Sequence, residues 1–259
     1  DILIDDIDAP RPGAIYRGIC DRPIKGQGGM MLRLPEGETA FLRHGKGLSP
    51  GQPLLVQVTG HAEGGKAVPV TDRVLFKSRY AIVTPGKPGL NISRQITDED
   101  TRDALLAIAH QVFDSTHGLI LRSSCEGADE AEIADDIEAM LTMANAVLAD
   151  ADGTTPEALT EGDGPHTVAW REWTGRAEVV TQAGSFAHLG VLDQFAAIGN
   201  AMVPLGEGYM YVEPTRALVA VDVNTGNDTS PAAALKANLA AARALPRSLR
   251  LRGLAGQII

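Results

Sequence analysis

Along the first part of the chain, apolar and polar residues alternate in short runs; the period then shifts to about 3.6 and later returns to alternation. Between residues 14 and 80 the alternating runs are "AIYRGICDRPI", "GMMLRLP", "TAFLRH", "PLLVQVTG" and "GKAVPVTDRVLF", each broken by glycine or a polar turn. Five short strands at this spacing predict a small barrel or sandwich. Five strands with a positive charge excess fit an OB-fold barrel, an architecture that binds oligonucleotides on one strand face. Helical spacing starts at "TDEDTRDALLAIAHQVFDS", with Thr97 as the N-cap and three acids in the first turn, where the helix dipole favours them. "GLILRSS" then reads as a strand. The next helix is predicted over "DEAEIADDIEAMLTMANAVLAD", where Ile133, Ile137, Met140, Leu141, Ala144, Val147 and Leu148 mark one face. Its opposite face is acidic, most simply a solvated surface.

Residues 149–167 are rich in turn formers and read as a boundary. Beyond them "TVAWREW" and "AEVVTQ" read as strands, and "GVLDQFAAIGNAM" as a helix. "YMYVEPTRALVAVDV" reads as a hairpin turning at Pro214, Thr215 and Arg216, followed by a helix, "AAALKANLAAARAL", and a strand begun at "GQII". The tail is thus β-β-α-β. If the last strand runs parallel to 217–223, the crossover brings its C-terminal end beside Asp222.

Asp222 and Asn224 end an apolar strand two residues apart, so both side chains leave the same face. That pair is poorly suited to burial and well suited to holding a cation. A strand-end cap with a loop asparagine is the plainer alternative.

Composition changes the picture mainly through charge. The chain of 259 residues is 44% hydrophobic and 22% charged, ordinary globular material, and only 4% aromatic. No apolar run nears the ~18 residues that suggest a membrane span, and no signal peptide is visible. The chain opens without Met, and both ends read as strands cut mid-sheet. Cys20 and Cys125 are too few for a disulfide framework or a zinc site; two unpaired thiols in a reducing cytoplasm are expected. The net charge of −10 argues at first against a polyanionic partner, but its distribution does not. Residues 11–94 carry 13 Lys/Arg against 5 Asp/Glu, residues 95–229 carry 5 against 24, and residues 230–259 carry 5 against none. Two basic blocks flank an acidic one, which leaves uneven solvation or a nucleic-acid partner open.

"VEPTRALVAVDVNTG", followed by "LKANLAAARALPRSLRLRGLAGQII", resembles the ribonuclease E/G family. In that family an Asp-Ile/Val-Asn hairpin precedes an Asn-Leu-Glu-Ala-Ala helix, an arginine run and a strand carrying a second aspartate. "AIYRG" resembles the opening of the family's RNA-binding OB domain. "RYAIVTPGKPGLNISRQI" and "GLILRSS" resemble its 5′-end sensor. The resemblance implies an α+β multidomain fold, with an OB-fold barrel and a 5′ sensor inserted into an RNase H-like domain and a DNase I-like catalytic domain after it. The implied boundaries are 1–12 for the first RNase H-like strand, 13–76 for the barrel, 77–148 for the sensor and 149–195 for the RNase H-like remainder. The incomplete catalytic domain takes 196–259.

The resemblance also assigns residues. Asp222 would be a magnesium ligand, and Asn224 would position the scissile phosphate or a metal-bound water. A divalent metal suits phosphodiester hydrolysis because it activates water and clamps phosphoryl oxygens. The second aspartate, and the family's zinc-binding cysteine pairs, would fall past Ile259. Arg122 and Ser123 match the pair that reads a 5′ monophosphate, Ile82 matches an apolar position of that pocket, and Ser78 replaces a glycine there. Phe41 matches one of two aromatics on which bases stack, although barrel core is its plainer role; Met31 replaces the other. Lys66 is a phosphate-contact candidate. Ala240 stands where the family has an acid, and Pro246 where its helix continues. The implied function is a cytoplasmic, metal-dependent endoribonuclease acting on single-stranded RNA, with a homo-oligomer left open. The alternative is an RNA-binding relative that has lost cleavage.

Overall fold

The computed structural model describes residues 2–5, 10–24, 26, 28–62, 66–113 and 116–259. The chain divides into two compact units: residues 3–175, and residues 176–259 with Ile2.

All five strands expected in the first part of the chain are present: β1 (Ile15–Ile24), β2 (Gly29–Arg33), β3 (Thr39–Leu42), β4 (Pro53–Val58) and β5 (Val68–Thr71). They close into a barrel in the order β1-β2-β3-β5-β4, with β4 returning to β1 and with β3 and β5 parallel. Alternation explains the closure. Ala14, Cys20, Met30, Leu32, Ala40, Leu42, Val56, Val58, Val68 and Val70 all turn inward and fill the interior. These side chains are small enough to pack a narrow barrel, which accounts for the scarcity of aromatics.

Four further strands form a second sheet: β6 (Phe76–Lys77), β7 (Ala81–Thr84), β8 (Gly89–Ile92) and β9 (Gly118–Leu121). Its order is β6-β7-β9-β8. The pair β8 and β9 is parallel, and the connection between them is α1 (Glu99–Val112), as parallel neighbours require. α1 and α2 (Glu130–Ala149) bury their apolar stripes on this sheet, with Ile133, Ile137 and Ala144 no more than 1% exposed. Full burial of each large aliphatic contributes about 1.5–3 kcal/mol. The α1 cap is Asp98, whose carboxylate accepts from the Thr101 N–H at 2.8 Å, one residue beyond the expected Thr97. A carboxylate is the better acceptor there, and it also accepts from the Thr101 hydroxyl.

Several expectations fail between 149 and 202. The stretch read as a turn-rich boundary contains β10 (Glu157–Thr160), which pairs antiparallel with β1. Arg17, buried on β1, holds it there. Its guanidinium donates to the carbonyls of Thr155 and Asp150 and to the Glu157 carboxylate. "TVAWREW" lies mostly in a helix, α3 (Pro165–Glu172), because Pro165 starts it and tertiary contacts to Trp170, Arg171 and Glu172 hold it. "AEVVTQ" forms no strand. The helix expected over 190–202 is shorter, α5 (Val191–Ile198); a separate short helix, α4 (Ser185–His188), precedes it, and Met202 already begins β11 (Met202–Leu205). At the N-terminus, residues 2–5 form no strand, and residues 6–9 of that expected strand lie outside the described residues.

In the second unit β11 pairs with β12 (Gly208–Pro214), and β12 with β13 (Val219–Asn224), all antiparallel. The predicted hairpin is therefore the last two strands of a three-stranded sheet. Met210, Val212 and Val219 face α6 (Pro231–Leu251), which approaches closely through the small residues Ala237 and Ala241. α6 runs through Pro246 without ending. The chain end then lies parallel to β13, with Ile258 opposite Val219 and the Val221 N–H donating to the Ile259 carbonyl at 2.7 Å. Among the described residues no helix is long and apolar enough to cross a membrane.

Candidate nucleic-acid interface and metal site

Met31 and Phe41 are cross-strand partners on β2 and β3, so they lie side by side on the outside of the barrel. Leu32, Ala40 and Leu42, their neighbours along the strands, are the ones that point inward. Phe41 is half-exposed and stands outside the barrel core. A Cβ at Gly29 would come within 2.4 Å of the Phe41 ring, so the bare glycine lets the ring lie against the strand. Pro69 pairs with Phe41 on its other side. Arg33 and Arg43 are exposed and share this face by strand alternation. Lys66 is exposed on the segment entering β5. A half-exposed aromatic flanked by cations can stack a base and hold its phosphates.

Arg122 follows β9 directly, and Ser123 begins the short 3-10 turn after it. Ile82 sits on β7 opposite Ile120, half-buried between the inward-facing Ala81 and Val83. The three therefore share one end of the second sheet. The Arg122 guanidinium is engaged within the chain. One nitrogen donates to the carbonyls of Ser78 at 2.6 Å, Arg79 at 3.2 Å and Arg171 at 3.2 Å. The other donates to the Glu172 carboxylate at 2.8 Å. The ion-pair partner is thus on α3 and not on the acidic helix α2. Ser78 turns its hydroxyl to Asp136, which also accepts from the Tyr80 N–H at 2.9 Å.

Glu172 was not legible as a site residue, because two of its three cationic partners, Lys77 and Arg122, lie far from it in sequence. Lys77 Nζ lies 2.8 Å and Arg171 Nε 2.7 Å from one oxygen, and Arg122 binds the other. Burial alone would raise this carboxyl. Hydrogen bonds from Lys77 and Arg171, with the charges of Arg122 and Lys77, outweigh it and bring the group down to about 2. Arg79 braces the same helix, stacked 4.2 Å over the Trp170 ring.

In the second unit Asp222 and Asn224 project from the sheet face opposite α6, as i and i+2 positions should. The Asn224 amide donates to one oxygen of the exposed Asp222 carboxylate at 2.8 Å. Tyr211 is the cross-strand partner of Asp222, and Tyr209 that of Asn224. The two rings meet edge to face at 5.6 Å, and Tyr211 is 37% exposed. Both tyrosines belong to this face, which strand alternation across the predicted hairpin could have revealed. Gly226, at φ +76°, carries the chain back over the β11–β12 turn, and a Cβ there would sit 2.3 Å from the Glu207 carbonyl. Elsewhere in this unit Arg243 and Arg247 line a groove of about 850 Å³ with Met202, Leu205 and Ala240.

On this face Asp222 offers a carboxylate that could take part in holding a metal, and the described residues hold no group of three or more His, Cys, Asp or Glu that could share an ion. One exposed carboxylate with a neighbouring amide still fits magnesium, which commonly takes one or two carboxylates and keeps several waters.

Comparison with known proteins agrees with the resemblance drawn from the motifs. The model of the Ribonuclease E/G family matches residues 76–182 and 170–259. A relative named Ribonuclease E, from Nostoc sp. (strain PCC 7120 / SAG 25.82 / UTEX 2576), is 29% identical over 252 residues, covering 82% of this chain and 37% of the relative. Ribonuclease G of Escherichia coli (strain K12) is 26% identical over 318 residues, covering 95% of this chain and 63% of the relative. A Ribonuclease E/G-like protein of Pyropia yezoensis is 25% identical over 302 residues, covering 95% and 59%. The chain spans between about a third and just under two thirds of the length of these relatives. With the family pattern running from the second sheet to the last residue, and relatives aligned across the barrel as well, the chain belongs to the ribonuclease E/G family.

Proposed function

We propose that this chain carries the RNA-binding barrel and one half of the metal site of a divalent-metal-dependent endoribonuclease that cuts single-stranded RNA. The observation that carries it is the Asp222–Asn224 pair, joined by a 2.8 Å hydrogen bond on the open face of β13 with a parallel strand started beside it. That register adds a sharp expectation. Ile258 faces Val219, so a strand continued beyond Ile259 sets its second added residue beside Asp222. A carboxylate there completes a two-carboxylate site of the kind magnesium accepts.

A magnesium ion held by these groups would supply Lewis-acid stabilisation of phosphoryl charge and a bound water of lowered pKa. Asp222 contributes the anionic oxygen. Asn224 donates to that carboxylate and keeps its carbonyl oxygen for a water or a phosphate-bound proton. Tyr211, beside Asp222, offers a ring to a base next to the scissile phosphate. On the barrel, Phe41 would stack a base while Arg33, Arg43 and Lys66 meet the backbone. Residues 196–259 then correspond to part of a DNase I-like catalytic domain.

In the full-length protein Asp222→Asn should abolish cleavage of a single-stranded substrate in magnesium and leave RNA affinity almost intact, because only a metal ligand is lost. Unchanged turnover would sink the catalytic assignment. RNA binding without cleavage by the wild type would favour the non-catalytic relative.

A further inference from the structure

The second unit carries a groove that cleavage chemistry at Asp222 does not use. It runs between α6 and β11, the strand at the opposite edge of the three-stranded sheet from β13. Its volume of about 850 Å³ is that of a small-molecule site. Ile198, Met202, Leu205, Ala240, Ala244 and Leu251 make its walls apolar. The two alanines of α6 give it depth, and Met202 adapts to irregular shapes. No acidic residue lines it, yet three arginines do: Arg243, Arg247 and Arg252. Arg243 and Arg247 are exposed and one turn apart on α6, so they share a face. Residues 230–259 contain no Asp or Glu. Among the described residues no carboxylate pairs with any of the three arginines. Arg252 is held in place, its Nε donating to the Ile198 carbonyl at 2.9 Å and its Nη2 to the Asn200 carbonyl at 2.6 Å. Its Nη1 is buried and meets no acceptor among the described residues. A stranded donor on a charged group is unfavourable, and negative charge brought into the groove offsets that cost.

We propose that this groove binds a free anionic amphiphile, an apolar chain ending in one carboxylate. The chain lies on the walls built by Ile198, Met202, Leu205 and Leu251, and the carboxylate meets Arg243 and Arg247. Both halves of the ligand follow from the lining. A guanidinium fork matches a carboxylate in geometry as well as charge. A neutral apolar ligand would cover the walls and leave three positive charges uncompensated. A nucleic-acid backbone would do the reverse, satisfying the arginines and leaving the apolar walls in water. An added β-strand is disfavoured, because Pro204 on the edge strand β11 has no N–H to donate.

The test is calorimetric titration of the full-length protein, without divalent metal, with three probes. Decanoate is the whole ligand, 1-decanol the chain without the charge, and acetate the charge without the chain. Decanoate should bind about tenfold or more tightly than 1-decanol, as charge-assisted hydrogen bonds to arginine warrant. Acetate should not bind measurably. Arg243→Ala combined with Arg247→Ala should bring decanoate down toward 1-decanol, and lysine at both positions should restore part of the difference. Both arginines are exposed, so these variants should keep the fold, as circular dichroism would show. Ala240→Trp should fill the groove and abolish binding of decanoate and 1-decanol alike; should that variant not fold, the arginine pair decides. No decanoate binding by the wild type, or equal binding by the double-alanine variant, would overturn the proposal. So would an arginine-dependent affinity for phosphatidylglycerol vesicles, or for a single-stranded oligonucleotide, with none for free decanoate. The arginines would then serve a membrane surface or RNA instead.

Discussion

Phe41 and Arg122 show what a side chain's surroundings decide. Phe41 is an aromatic in a barrel strand, and residue type alone favours burial. Alternation with the inward Ala40 and Leu42 puts it outside, next to Met31. Phe41→Ala should therefore leave the barrel folded and weaken single-stranded RNA binding by ~1–3 kcal/mol, the worth of one stacked base. Unfolding of the variant, followed by circular dichroism, would return Phe41 to the core. The same scale governs the thiols. Burial pushes the Cys125 thiol up to about 11 and also raises that of Cys20. Since the thiolate is the reactive form, neither should be alkylated at neutral pH in the native protein. Both should react once denaturant is added, as mass spectrometry would show.

Elements were legible where periodicity and burial agreed. The five barrel strands and the two long helices of the first unit each bury one whole face, so their patterns are clean. Between 149 and 200 no such stripe exists. α3, α4 and α5 have no buried residue, and what holds α3 is a set of ion pairs and an arginine–tryptophan stack. Such contacts leave no period in a sequence. β10 is similar, since its place beside β1 depends on Arg17. Removing Arg17 strands two carbonyls and a carboxylate, and hydrogen bonds to a charged group are worth about 1.5–3 kcal/mol. Arg17→Met should lower stability by about 2–3 kcal/mol in urea unfolding and expose residues 150–160 to proteolysis first. On the open sheet face, Tyr211→Ala should raise KM for a single-stranded substrate while Tyr211→Phe restores it, because the ring and not the hydroxyl is used. An unchanged KM in the alanine variant would remove Tyr211 from the substrate path.

At the scale of the whole chain, charge is the governing quantity. The basic residues of 11–94 and 230–259 and the acidic residues between them make a net charge of −10 a poor guide to partners. RNA affinity should fall linearly with log salt as phosphate contacts release counterions, and a salt-independent affinity would rule out the barrel surface as the binding site. Acid stability follows from three carboxyls. Glu172 is held near 2, and Asp98 and Asp228 are lowered by hydrogen bonds from Thr101 and Ser230. A carboxyl whose native value lies below its unfolded one stabilises above the unfolded value and loses that contribution as pH falls through the native value. Melting temperature should therefore drop as pH falls from about 4.5 toward 2, and Glu172→Gln should show a shallower drop over that range.

The sequence by itself determined the barrel, the long helices, the Asp222–Asn224 pair on one strand face and the family. Each is written in local spacing, because a period of two or 3.6 and an i, i+2 pair need only neighbouring residues to be read. Tertiary structure decided the rest. It placed Asp98 at the cap, made "TVAWREW" a helix, set Tyr211 beside Asp222, and gave Arg122 a carboxylate partner fifty residues away. The last of these depends on Lys77, Arg122, Arg171 and Glu172 meeting in space. No pattern along the chain encodes that meeting, because the energy of a charge depends on distance through the fold and not on separation in sequence.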